Sequence, residues 1–73
     1  MLPPVEIYRT DVMDATQAAA LVRLVEAQYP GVRANVDLHD CDRVLRVQGH
    51  ADQAGIERLV QSAGFQCGAI GEG

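Results

Sequence analysis

Residues 30–48 read PGVRANVDLHDCDRVLRVQ, and the fold is decided by how this run is divided. Val32, Ala34, Val36 and Leu38 fall on one side of an extended chain and Arg33, Asn35 and Asp37 on the other. That alternation is the signature of a strand with one buried face. Residues 39–42 (HDCD) are a polar turn, and alternation resumes over residues 43–48 with Leu45 and Val47 inward. Two such runs joined by a short polar turn predict an antiparallel hairpin.

Upstream of the hairpin the period changes. Ala18, Leu21, Val22, Val25 and Tyr29 recur at helical spacing, and Leu24 widens the stripe. Asp14 and Gln17 stand where a capping box opens such a helix. Pro30-Gly31 ends it, because proline cannot continue a helix and glycine tolerates the turn. Before it, Val5–Thr10 is rich in strand formers and follows two prolines. Its inward side is open between Val5 with Ile7 and Tyr8 with Thr10.

Downstream, Gly49 breaks the third strand. Asp52 is a good N-cap for a second helix with stripe Ile56, Leu59, Val60 and Ala63. Gly64 is its C-terminal cap, with Phe65 placed for the accompanying apolar contact. Residues 65–70 read as a last strand, and residues 71–73 (GEG) as a frayed tail. The order βαββαβ predicts a single α+β domain over residues 1–73, with an ordered core over about residues 4–70. Its ferredoxin-like sandwich has a four-stranded antiparallel sheet in the order 4-1-3-2 and both helices on one face, as right-handed crossovers require. The turn after the first strand, the hairpin tip and the turn before the last strand then meet at one end. His50 lies at the other end, away from His39.

The chain's 73 residues leave room for one domain, and a domain of this size buries only about 60% of its unfolded surface. Apolar residues make up 48% and charged residues 22%, a globular balance. Ten acids against six bases give a net charge of −4, which repels phosphate backbones and argues against nucleic-acid binding. All six bases are arginine, spread along the chain as solvated positions, so lysine chemistry is excluded. No run approaches the length of a membrane span, and the start MLPP has no signal-peptide character. Two cysteines without such a signal fit a reducing, cytoplasmic setting.

Several of these landmarks carry a likeness to a known family. Met13 stands 18 residues before Gly31; Pro30-Gly31-Val32 closes the helix; Val36-Asp37-Leu38 lies in the second strand; Ala63-Gly64-Phe65 forms the late turn. In this, over residues 5–70, the chain resembles the heavy-metal-associated domains, which include soluble copper chaperones and the amino-terminal domains of metal-pumping ATPases. The resemblance implies a Cys-x-x-Cys loop after the methionine, where soft thiolates hold Cu(I). Here both ligand positions are alanine, Ala15 and Ala18, and Val12 stands in place of the glycine before Met13. The resemblance therefore implies the scaffold without its copper site. Met13 is expected to plug the core beneath the loop, and Phe65 to pack at the late turn.

The same end of the expected fold offers other donors. His39 and Cys41, two residues apart, point roughly the same way, and Asp14 or Asp11 across the end supplies a third ligand for a transition-metal ion of borderline softness. Turn chemistry accounts for the same composition without a metal, since aspartates satisfy backbone groups in tight turns. Cys67 falls on the last strand as a packing residue, too far from Cys41 for a disulfide in this strand order. Cys41, flanked by aspartates, is unsuited to a redox or nucleophilic role.

The chain has no nucleophilic triad with a pocket, no phosphate-cradling glycine loop and no buried carboxylate pair, so an enzyme is not expected. The expectation is a non-enzymatic binding or interaction module. Its partner would be another protein, or a second copy pairing along the second strand, an edge whose outward residues are Arg33, Asn35 and Asp37. The alternative is metal binding or trafficking through His39 and Cys41 with Asp14 or Asp11.

Overall fold

The structure is a computed structural model that describes residues 4–72. The hairpin forms where alternation placed it. β2 (Arg33–Asp37) and β3 (Val44–Gln48) pair antiparallel, with Val36 opposite Leu45 and Ala34 opposite Val47. β3 also pairs with β1 (Val5–Thr10), setting Leu45 opposite Tyr8. β1 pairs in turn with β4 (Cys67–Glu72), giving one antiparallel sheet in the order β2-β3-β1-β4. α1 (Ala15–Gln28) connects β1 to β2, and α2 (Gln53–Ser62) connects β3 to β4.

Tyr8 and Thr10 face the core, which resolves the ambiguity of the first strand. The choice keeps Arg9 in solvent. Tyr8 is completely buried at the centre of the sheet, and its hydroxyl donates to Glu6 Oε2 at 3.1 Å. That bond matters because an unpartnered buried hydroxyl costs about 1–3 kcal/mol. The core joins Tyr8, Leu45 and Val47 of the sheet to Leu21 and Val25 of α1 and Ile56 and Val60 of α2. Both helices therefore cover the same face of the sheet and leave the other open. Burying each of these aliphatic side chains stabilises the fold by about 1.5–3 kcal/mol.

Local signals explain the helix ends. Asp14 Oδ1 accepts from the Gln17 backbone N–H at 2.8 Å. Gln17 Oε1 reaches back to the N–H of Met13 at 2.9 Å, one residue earlier than in the usual capping box. Asp52 caps α2 through the Gly55 N–H. Gly55 has a second role: Tyr29 from α1 packs so closely against it that a Cβ there would collide with the Tyr29 hydroxyl. At the end of α2 the Gly64 N–H reaches Gln61 O and the Phe65 N–H reaches Val60 O, with Gly64 at φ +96°. This is a Schellman ending.

That ending shifts the last strand. Phe65 is still bonded to the helix and Gln66 donates to Asp11, so pairing begins at Cys67 rather than Phe65. β4 then runs through residues 71 and 72, which composition marked as frayed tail; Gly73 lies outside the described residues. The register of β1 and β4 slips between Ile7 and Tyr8, a bulge at the glycine-rich edge. No helix among the described residues is long and apolar enough to cross a membrane.

Candidate functional site

The β1–α1 loop (residues 11–14), the hairpin tip (residues 38–43) and the α2–β4 turn meet at one end of the sheet, tied by hydrogen bonds. The Thr10 N–H donates to Asp42 O at 3.1 Å, and the Thr10 hydroxyl to Arg43 O. Arg43 Nη1 reaches Met13 O at 3.5 Å. The Gln66 N–H donates to Asp11 Oδ1 at 2.8 Å, fastening the late turn to the first loop. Arg43 holds φ +47°, a left-handed conformation that an L-residue adopts only where its surroundings hold it.

The core position under the loop belongs to Val12, 1% exposed, and not to Met13, 74% exposed. The expectation of Met13 as a core plug is corrected. The reason lies in the backbone: the Val12 N–H turns in toward the buried Thr10 hydroxyl at 3.4 Å, while Gln17 holds the Met13 N–H at the helix start. The methionine side chain is left in solvent. Phe65 is half-buried against the core, as its turn position suggested. Ala15 is exposed in the first turn of α1, and Ala18 is half-buried one turn on.

The proposed donors are not gathered as one set. Among the described residues, the group of three potential ligands whose donor atoms lie within 4.8 Å of one another is Asp40, Cys41 and Asp42. His39, Asp11 and Asp14 stand outside it. His39 is exposed, and its backbone N–H donates to Asp37 Oδ1. The Asp11 and Asp14 carboxylates accept from Gln66 and Gln17, so each already satisfies a backbone donor. Asp40 Oδ1 likewise accepts from the Asp42 N–H at 2.8 Å, and Asp42 pairs with Arg9 at 3.3 Å on the surface.

Both thiols are free. Cys41 is exposed at the hairpin tip. Cys67 is half-buried beside the core, where burial, helped by the Glu57 carboxylate, pushes its thiol up to about 12. Burial and the neighbouring Glu6 carboxylate raise the Tyr8 phenol in the same way.

Two features escape a linear reading. Each outer strand has an edge N–H covered by a helix carboxylate: Glu26 of α1 accepts from Ala34 of β2 at 3.0 Å, and Glu57 of α2 from Ala69 of β4 at 3.4 Å. Gln61 Nε2 adds a bond to Cys67 O at 3.2 Å. The second feature is on the open face. Arg33, Arg46 and Arg9, scattered in sequence, lie on β2, β3 and β1 in successive rows of that face. All three point away from the helices, because Ala34, Leu45 and Tyr8 beside them point toward the core. Outward parity of Arg33 and Arg46 is legible in sequence; that of Arg9 follows only from the burial of Tyr8 and Thr10, and the alignment of all three needs the register.

No protein-family model matches this chain, and no curated protein matches it.

Proposed function

We propose that this chain is a ferredoxin-like module of the heavy-metal-associated kind, working through binding contacts rather than catalysis, with its thiolate copper site lost. The element order, the sheet order and the closures at Pro30-Gly31 and Ala63-Gly64-Phe65 support the scaffold reading. One observation carries the loss of the site. At the end of the sheet where the family's thiolates stand, this chain has Ala15 and Ala18, and the nearby Asp11 and Asp14 carboxylates are engaged by backbone N–H groups. Alanine offers no lone pair to a soft cation. Two free thiols fit a reducing, cytoplasmic setting, which belongs to the same proposal.

A second reading rests on the proximity of Asp40, Cys41 and Asp42, a mixed sulfur and oxygen set for a borderline divalent ion, with His39 beside it. Titration of the reduced protein with Cu(I), Zn(II), Ni(II) and Co(II) separates the two, repeated with His39→Ala and Cys41→Ala. Binding no tighter than millimolar and unchanged in both variants supports the metal-free module. Tight one-to-one binding lost in the variants overturns it in favour of metal carriage at the hairpin tip.

A further inference from the structure

The sheet face opposite the helices carries an ordered arrangement of charge. Val5, Gln48 and Arg33 form one cross-strand row of that face, and Ile7, Arg46 and Asn35 the next. Arg9 follows Ile7 in the row beyond. The three arginines therefore descend one strand and one row at a time, a diagonal with steps of about 8 Å from ordinary sheet spacings.

Half of the chain's arginines stand on this line, although its net charge is −4. Arg9 is paired with Asp42; Arg33 and Arg46 have no ion-pair partner among the described residues. Two carboxylates flank the line, each also accepting a backbone N–H: Asp37, outward on β2, from His39, and Glu26 from Ala34. Arg33, Asn35, Arg46 and Gln48 also line a groove of about 300 Å³ together with Ala34 and Glu26. Half-buried Val5 and Ile7 and buried Val44 give the face an apolar floor.

We infer that this face binds an extended acidic segment of another protein, with carboxylates at alternate positions meeting the arginine diagonal. Alternate side chains of an extended chain recur at about 7 Å, close to the arginine step. Guanidinium forks suit carboxylates, and charge complementarity sets the register of such a contact. A second copy placed face to face would oppose arginine with arginine. Single-stranded nucleic acid is the weaker fit, because such sites stack bases on aromatic rings. The aromatic residues here lie elsewhere: Tyr8 is inward, and Tyr29 and Phe65 pack on the helix side.

This inference rests on the interaction-module reading but has its own test, because metal titration leaves it untouched. The probe is a fluorescent peptide alternating glutamate and serine, compared with a lysine–serine counterpart and a labelled oligothymidylate. Saturable binding to the acidic peptide is expected, weakened about tenfold by Arg33→Glu with Arg46→Glu. The control is Arg23→Glu with Arg58→Glu, exposed helix positions that change net charge equally. It should leave most of the affinity. Equal loss in both double variants, or no saturable binding, overturns the site. Tighter binding to the oligothymidylate replaces the acidic peptide with a nucleic-acid partner. Circular dichroism of each variant confirms that the fold is retained.

Discussion

Val12 and Met13 are adjacent, both apolar, and opposite in consequence. Val12 fills the core beneath the loop, while Met13 stands in solvent. Truncating Val12 to alanine should cost about 2 kcal/mol in urea unfolding, and truncating Met13 within about 0.5 kcal/mol. Comparable losses at both positions would mean that Met13 packs after all. The two thiols differ in the same local way. Exposed Cys41 should react readily with a thiol reagent in the native protein, and half-buried Cys67, its thiol pushed up by burial, much more slowly until the chain unfolds. Because folding raises the Cys67 thiol from its ordinary 9.0 to about 12, the unfolded chain gives up that proton first. Stability is therefore intact below about pH 9 and falls as pH rises beyond it, with Tyr8 acting in the same direction. Cys67→Ala should lessen that alkaline decline in thermal melts; an unchanged slope would assign it elsewhere. Burial at these positions was hard to read in sequence, since one apolar residue in a loop looks much like its neighbour.

At the scale of elements, caps and turns were legible because their chemistry is local. Asp14 with Gln17, Asp52 with Gly55 and the Gly64 ending each act within five residues or fewer. Strand 4 was less legible, since its start depends on the Gln66–Asp11 bond across the molecule. The edges of the sheet were not legible at all. Glu26 and Glu57 sit on helices as ordinary solvated acids until the fold carries them to Ala34 and Ala69. Exposed edges invite pairing with another chain, and a charged group on the edge N–H opposes it. Pairing of two copies along β2 would have to displace Glu26. Glu26→Ala with Glu57→Ala should therefore raise self-association in sedimentation velocity, at a stability cost of about 1 kcal/mol per lost bond. A double variant as monomeric as the parent would show that these carboxylates do not guard the edges.

For the whole molecule, one small core carries both helices. Ile56 is fully buried where α2 meets the sheet, and Ile56→Ala should cost about 2–5 kcal/mol. That is a large part of the 5–15 kcal/mol typical of native domains, so a substantial drop in melting temperature is expected. A shift within a few degrees would mean that the core closes around the gap. The α+β order, the hairpin at residues 32–48, the helix stops and the absence of thiolates at Ala15 and Ala18 are all readable along the chain. Each of these depends on short-range periodicity or on residue identity. Which face of β1 is buried, which loop residue enters the core, which carboxylates cover the edges, and the single line of Arg33, Arg46 and Arg9 emerge with the packed fold. Those outcomes depend on strand order and register, which bring together residues as far apart in the chain as Val5 with Gln48 and Glu6 with Glu72.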